Sequence, residues 1–376
     1  MKQRWYTICY SLIFLGLMAF LFTYFEFDTQ TKNIVDSSSS HYENAIVLSK
    51  SMLIDEHPDY YQEELVKVRL ETGANKGQIV EIRHSIAAKQ QIFDLVVNPG
   101  DRLVIEILNE NGIEGYYIGD FYRIPYFILL LGILLLGLFI FGRITGVKSL
   151  IGIGLVLFLL WHGFLAHTMH SQLNIYLLTL LYCGFISLLV LMLVGGFTKK
   201  TWAALLGTWG GVFIAGLLSY MTIQLMHLTG IDTEEAVTLK MGMPSIDFQG
   251  ILFASIIIGA LGAIIDVTIS IASAQSEIWA ANPKIGWRDL YKRGMNVGSD
   301  MMGAMVNTLI LAYVGGFMPS LLLLASYNGV SFTHIINTQG IMTELIRAII
   351  GSIGLIYAIP LTAIISAILL CCKKPQ

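Results

Sequence analysis

The sequence predicts a polytopic α-helical membrane protein with about eight transmembrane helices and one small extracytoplasmic β-rich domain. Three observations support this fold class. Of the 376 residues, 55% are hydrophobic and only 13% are charged, whereas soluble domains have roughly one quarter charged residues. Most apolar residues gather in runs of about 20, the length that crosses a bilayer. The segment 26–123 is instead polar, and parts of it alternate between apolar and polar side chains, as half-buried strands do.

The first apolar run, residues 5–25, follows two basic residues, Lys2 and Arg4. The sequence after it begins Glu26-Phe27-Asp28 and lacks the small residues of a signal-peptidase cleavage site. We therefore interpret residues 1–25 as an uncleaved signal-anchor helix.

Residues 26–123 form the predicted extracytoplasmic domain, with a β-rich core at about 60–120 and a linker before it. Apolar and polar residues alternate in 66–70 and again in 103–107, with the period of two that a half-buried strand requires. Asn98-Pro99-Gly100-Asp101 supplies the residue types of a tight turn. We expect a small β-barrel or sandwich.

The remaining residues, 124–376, form the predicted seven-helix transmembrane domain. Its apolar runs lie at about 124–142, 149–168, 173–195, 202–228, 250–273, 300–324 and 344–370. Lysine and arginine are concentrated in alternate loops, including the pairs Arg143/Lys148 and Lys199/Lys200 and the long loop predicted at 276–298. By the positive-inside rule, both termini are cytoplasmic and the β-rich domain is outside.

The sixth span carries the most informative polar residues. Asp266, Ser270, Ser273 and Glu277 are spaced so that they share one helical face, and Gly259 and Gly262 precede them on that face. An ionisable residue inside a membrane helix usually faces the bundle interior or a water-filled cavity, and it indicates a functional site. The alternative is that Asp266 only fixes helix packing through a hydrogen bond.

The seventh span repeats this pattern with Asn296, Asp300, Gly303 and Asn307. We expect Asn307 and Asp266 to lie at similar depth in the membrane. Their oxygen atoms suit a proton or a hard cation, although an Asp–Asn hydrogen bond could also be purely structural. Asp300 lies nearer the membrane surface, where a carboxylate often caps a helix.

The eighth span begins with Glu344 and Arg347, which are spaced for an ion pair on one face. Gly351, Gly354 and Pro360 follow. Such residues can interrupt a helix beside a cavity, although they also occur in plain membrane helices. We treat these five residues as candidates for helix packing or gating.

The sequence gives no sign of enzymatic or metal chemistry. It lacks the HExxH, P-loop and G-x-S-x-G motifs, and an aspartyl-protease pair of Asp266 and Asp300 lacks the expected glycine context. His162, His167 and His170 are not spaced to share one face. The four cysteines show no zinc-binding spacing, and the net charge of −3 does not indicate nucleic-acid binding. We expect no enzyme activity, cofactor or metal.

Three stretches resemble the YibE/F-like family of bacterial multi-pass membrane proteins. They are residues 259–273, residues 298–313 and the Glu344–Arg347 region with its glycines and Pro360, and the resemblance extends from about Val66 to Leu370. It implies a bacterial plasma-membrane protein of unassigned activity, often with a related membrane partner. A homo-oligomer is the other association that we consider.

The leading functional interpretation is a transporter or permease component, coupled to protons or cations, with its polar pathway between spans six, seven and eight. Asp266, Ser270, Ser273, Asn307 and Asp300 are the candidate site residues. The alternative is a non-transporting assembly, scaffold or sensing protein that binds a partner through the outer β-domain. The sequence does not identify a substrate.

Overall fold

A computed structural model describes residues 40–52, 61–73, 75–87, 95–110, 113–170, 173–326 and 331–371. The predicted signal anchor at 1–25 lies outside these residues. The described chain divides into two compact units, one within residues 28–140 and the other within residues 141–376. Each unit is built around its own hydrophobic core.

The first unit contains a five-stranded antiparallel sheet with the strand order β3-β2-β1-β4-β5. Strands β3 and β5, at opposite edges, approach each other, so the sheet curls into a half-barrel. The strands are β1 (Ser40–Met52), β2 (Tyr61–Leu70), β3 (Ile79–Ala87), β4 (Arg102–Glu110) and β5 (Ile113–Phe121).

The predicted alternation is confirmed in β2 and β4. Val66, Val68 and Leu70 point into the core, as do the alternate residues Leu103, Ile105 and Ile107. The residues between them, such as Lys67 and Arg69, are exposed. Burial of one face of the curled sheet therefore accounts for the period of two in these stretches.

The sheet begins earlier than the predicted core of about 60–120. Strand β1 comes from residues interpreted as a linker, and it lies between β2 and β4 at the centre of the sheet. Its pattern is obscured because a β-bulge between Val47 and Ser49 shifts the alternation. Two acidic residues, Glu43 and Glu64, are also buried. The Glu64 Oε1 lies 3.3 Å from the Lys50 Nζ.

The remaining described residues are almost entirely helical. A π-helical segment, Leu159–Leu165, separates the first two helices. The α-helices are α1 (Ile124–Phe158), α2 (Ala166–His170), α3 (Ile175–Gly195), α4 (Lys199–Leu225), α5 (Glu234–Gly242), α6 (Phe248–Ala281), α7 (Trp287–Gly316), α8 (Met318–Ser326), α9 (Phe332–Asn337) and α10 (Gln339–Cys371).

Seven helical stretches among the described residues are long and apolar enough to cross a membrane. Their number equals that of the apolar runs predicted within 124–376, while the number of membrane crossings and the sidedness of each stay predictions. The stretches are Ile124–Gly142, Gly146–Met169, Ile175–Gly195, Lys199–Leu225, Phe248–Ala281, Trp287–Gly316 and Gln339–Cys371.

Two predicted loops are wrong. Residues 143–148 continue the helix α1, so the first two apolar stretches follow each other without a loop between them. The long loop at 276–298 is reduced to a short turn around Pro283, because α6 continues to Ala281 and α7 begins at Trp287. The span predicted at 300–324 therefore begins earlier, and its helix ends at Gly316. The polar and charged residues at the end of α6 and the start of α7, such as Glu277 and Arg288, make these helix ends resemble a loop in the sequence.

Helices α4 and α10 pack closely through small residues. Gly207 faces Thr362, Gly211 faces Ala358, and Ala215 faces Gly354. Each set recurs every four residues, so it forms one narrow face along its helix. Small faces let helix backbones approach, which is how membrane helices gain packing energy without a hydrophobic difference from lipid.

Candidate functional site

The polar stripe predicted on α6 occupies the side of the helix that the described residues leave most open. Helix α6 begins where Asp247 caps it by accepting a hydrogen bond from the Gly250 N–H at 3.0 Å. Asp266 and Gly262 are exposed, and Ser270 and Ser273 are partly buried. The opposite sides of α6 pack into the main core.

Helix α7 has a similar division between a packed face and an open face. Its buried residues, which include Gly294, Gly298 and Leu309, pack against α6 and α10. The exposed polar residues Asn296, Asp300 and Asn307 lie on the other face together with Gly303. The predicted stripes on α6 and α7 are therefore both present at the surface of the described bundle. They do not face α10, which packs on the other sides of these helices, so the described residues do not enclose the pathway predicted between the three spans.

Contacts between the two antiparallel helices fix their relative depth. Gly294 packs on Gln275, Gly298 on Ile271, and Gly259 on Tyr313. Counting from these contacts places Asp266 level with Ala304 and Ser270 level with Asp300. Asn307 is three residues from the level of Asp266, or about 4.5 Å along the helix.

Asp266 is thus near the middle of α6 and close in depth to both Asp300 and Asn307. Its carboxylate makes no hydrogen bond or ion pair with any residue that the structure describes. Asp300 and Asn307 likewise have no described hydrogen-bond partner. The expected Asp266–Asn307 bond within one chain is therefore not formed by the described residues, and the polar groups remain available for another ligand.

Three helices meet at a polar joint on the Gly259 side of Asp266. Arg347 donates from Nη1 to the Glu344 Oε1 at 2.6 Å and from Nη2 to the Ser255 Oγ at 3.2 Å. Its guanidinium carbon also lies 5.9 Å from the centre of the Tyr313 ring. The predicted Glu344–Arg347 pair is therefore present, and it links α10 to α6 and α7.

A second joint of the same three helices lies on the other side of Asp266. The Gln275 side chain is fully buried and donates from Nε2 to two backbone carbonyls, those of Leu290 at 2.9 Å and Ala363 at 3.0 Å. Gly294 gives it space, because a β-carbon there would collide with the Gln275 amide. The two joints bracket the open polar face along the length of α6.

The other candidate packing residues fall into different environments. Gly354 and Gly351 are buried at helix contacts, the latter against Leu309 and Ala260. Pro360 lies inside α10 without ending it. Gly262 and Gly303 instead have no described atom within 4 Å of the point that a β-carbon would occupy, so they line the open face.

Ser255, Gln275 and Tyr313 are contact residues that the polar stripes alone do not single out. Ser255 lies on the same face as Gly259, one turn earlier, and extending the stripe backwards would include it. Gln275 is a polar residue in an apolar helix but faces away from the stripe. Its role follows only from its contact with Gly294 in the next helix, which no local sequence pattern indicates.

The histidines at the end of the third apolar run lie at the π-helical segment. His167 donates from Nδ1 to the Gly163 carbonyl at 2.9 Å, and the Tyr182 hydroxyl lies 3.2 Å from the same nitrogen. A cavity of about 180 Å³ beside them is lined mostly by apolar atoms. No group of three or more His, Cys, Asp or Glu residues in the described chain is arranged to hold a metal ion.

Seven apolar helical stretches in the described part of the chain, two of which carry carboxylates and amides along their length, indicate an integral membrane protein. A family model described as YibE/F-like protein matches residues 130–371, and the chain belongs to that family. The match includes α6, α7 and α10 but not the β-domain. No curated protein and no solved structure matches the chain.

Proposed function

We propose that this protein is a proton- or cation-coupled transporter, or a permease component, of a bacterial plasma membrane. Asp266 is its coupling group, and Ser270, Ser273, Asn307 and Asp300 supply further oxygen atoms along the pathway. The observation that carries the proposal is the position of Asp266, which is exposed halfway along an otherwise packed membrane helix.

The free-energy cost of placing the Asp266 carboxylate inside a membrane supports a functional role for this residue. Placing a carboxylate at the centre of a bilayer costs about 2.5–3.5 kcal/mol on insertion scales, and no described residue offsets this with a hydrogen bond to Asp266. A proton or a cation neutralises the charge directly. Serine hydroxyls and an asparagine oxygen at neighbouring depths are suitable additional ligands for a hard cation.

The two joints around the polar face suggest how access could alternate. The Arg347–Tyr313 joint lies towards the predicted outer side, and the Gln275–Gly294 joint lies towards the predicted cytoplasmic side. Both connect the same helices, α6, α7 and α10. In this proposal α7 moves relative to α6 and α10 by loosening one joint while keeping the other, so that the polar face opens to one side at a time.

The test is a flux assay on the full chain reconstituted in liposomes that contain a pH-sensitive or a cation-sensitive dye, across gradients of protons, Na⁺, K⁺, Mg²⁺ and a panel of small solutes. Wild-type protein should produce a flux that Asp266→Asn abolishes, since asparagine keeps the shape but not the charge. Glu277→Gln is the matched control, because it changes an acid on the same stripe near the helix end, and it should retain the flux. Absence of flux with wild-type protein, or flux that survives in Asp266→Asn, would reject the proposal.

One feature of the outer domain favours the alternative function, binding of a partner without transport. Tyr42, Glu106 and Tyr117 form a row across three neighbouring strands. The two tyrosines are 62% and 53% exposed, and the Tyr42 hydroxyl donates to the Glu106 Oε1 at 3.0 Å. Exposed tyrosines are frequent in binding surfaces because they combine a large apolar ring with a polar group.

Genetic complementation separates the two functions. If the outer domain acts by binding, the double variant Tyr42→Ala/Tyr117→Ala should fail to restore a deletion strain, and Asp266→Asn should restore it. If the protein transports, Asp266→Asn should fail instead. Immunoblots of isolated membranes must show equal amounts of each variant.

A further inference from the structure

The open face of α7 is too polar to face lipid. In the apolar membrane-length stretch of α7, only 6% of the residues are buried by the rest of the described protein. The corresponding share in α6 is 61%. The exposed residues at membrane depth include Asp300, Asn307 and, on the neighbouring helix, Asp266. Lipid tails cannot donate or accept hydrogen bonds, so leaving these groups in contact with lipid is costly. A second polar protein surface would satisfy them.

The N-terminal apolar run is poorly suited to this role. It is the one predicted span outside the described residues, so it is the obvious occupant from within the chain. Its central part, residues 12–22, contains no side chain with an N–H or O–H group. At mid-membrane depth it can offer neither a donor to Asp266 nor a partner to Asn307.

The open face is complementary to itself. Asp266 and Asp300 provide acceptors, while the amides of Asn296 and Asn307 provide donors. Two copies inserted in the same orientation can be related by a two-fold axis along the membrane normal, which brings residues of equal depth together. Asn307 of one copy then lies about 4.5 Å in depth from Asp266 of the other, within the reach of their side chains.

The centre of this face also allows close approach. Ser299 and Gly303 are spaced four residues apart and are both exposed, which is the small-residue pattern of helix pairs in membranes. A β-carbon on Gly303 would meet no described atom. The space above Gly303 is therefore open to a second backbone at the level of Asp266.

We propose that the protein forms a homodimer through the open face of α7, in which Asn307 of each copy donates a hydrogen bond to Asp266 of the other. The polar site is then completed only at the contact between two copies. This proposal goes beyond the proposed function and does not depend on it, since the contact can be tested whether or not the protein moves a solute.

The first test counts subunits of the wild-type protein by single-molecule photobleaching of a fluorescent C-terminal fusion in nanodiscs. Two bleaching steps are expected, and a single step would overturn the proposal. In the dimer, Asn307→Leu should raise the dissociation constant about nine-fold, since each of two interhelical hydrogen bonds in a bilayer contributes roughly a factor of three. Thr308→Val is the matched control and should leave the constant unchanged, because the Thr308 hydroxyl bonds to the Ala304 carbonyl of its own helix.

The second test locates the contact by oxidative cross-linking in native membranes, with all four natural cysteines replaced. Gly303→Cys should give a disulfide-linked dimer. Leu217→Cys should give no such dimer. Leu217 is 53% exposed, and it lies about as far from the start of α4 as Gly303 does from the start of α7. A dimer without a Gly303→Cys link, or a link of that cysteine to a different polypeptide, would overturn the proposal. So would a link within one chain in the double variant Gly16→Cys/Gly303→Cys, because the N-terminal run would then cover the face.

Discussion

The hydroxyl group of Tyr313 lies against Gly259, so helices α7 and α6 meet there without space for a β-carbon. Gly262, one turn further along the same face of α6, has no described atom within 4 Å of the corresponding position. Two glycines of one sequence motif therefore have different roles. Gly259 forms part of the joint beside Arg347, and Gly262 belongs to the open polar face.

This difference predicts a specific rescue. Gly259→Ala should lower the free energy of unfolding by about 1–3 kcal/mol through overpacking, and Gly262→Ala should change it little. Tyr313→Phe removes the clashing oxygen, so Gly259→Ala should cost much less in that background. Unfolding by sodium dodecyl sulfate in mixed micelles measures all four variants. An equal cost of Gly259→Ala in both backgrounds would show that Tyr313 does not set the limit.

The contact between α4 and α10 should be less tolerant still. A β-carbon on Gly211 would lie 2.7 Å from the Ala358 β-carbon and 2.8 Å from the Gly354 carbonyl oxygen. Since backbone atoms cannot rotate away, Gly211→Ala should reduce the amount of folded protein more than Gly259→Ala does. Thermal aggregation assays in detergent compare the two. Stability equal to wild type in Gly211→Ala would contradict the close packing of these helices.

The β-domain should fold by itself only when strand β1 is included. A fragment of residues 40–121 contains the whole sheet, and its buried residues belong to a separate core. A fragment of residues 60–121 lacks the strand that joins β2 to β4, so two hairpins remain without a common sheet. Circular dichroism should show a cooperative melt of strand structure for the longer fragment and none for the shorter one. A cooperative melt of the shorter one would mean that β1 is dispensable.

A surface ion pair at the end of β5 allows a prediction about pH. The Arg123 Nη1 lies 2.5 Å from the Asp120 Oδ2, and hydrogen bonds from Arg123 and from the Phe121 N–H lower the pKa of Asp120. A lowered pKa stabilises the folded state above the ordinary pKa of the acid, and this stabilisation is lost as the pH falls through the folded value. In a fragment of residues 40–123, Arg123→Gln should raise the Asp120 pKa measured by carboxyl NMR. The control is Lys67→Gln, which removes a distant exposed ion pair with Glu81 and should leave the Asp120 pKa unchanged.

The sequence alone predicts the polar stripes well because a helix repeats every 3.6 residues whatever its neighbours are. That periodicity places Asp266, Ser270 and Ser273 on one face, and the structure finds this face open. The length of the apolar runs likewise predicts the seven apolar helical stretches described within 124–376. The alternation of β2 and β4 is visible because one face of each strand is buried.

Other features depend on contacts between distant residues, which no local pattern contains. The bulge at Val47/Ser49 hides strand β1, although this strand is central. The partners of Gln275 lie 15 and 88 residues further along the chain, so its role as a joint follows only from the packing of three helices. The same is true of Tyr313, whose significance comes from its position over Gly259.

The central claim, that Asp266 exchanges a proton or a cation within the membrane, is tested most directly by its reaction with dicyclohexylcarbodiimide. This membrane-soluble reagent modifies protonated carboxyl groups, and peptide mass spectrometry of treated native membranes identifies the site without knowledge of the substrate. We expect Asp266 to be modified, and the modification to decrease as the pH rises or when a coupling cation is added. Modification that is absent, or that stays constant across pH and all cations tested in correctly folded protein, would contradict the claim and leave Asp266 as a packing residue.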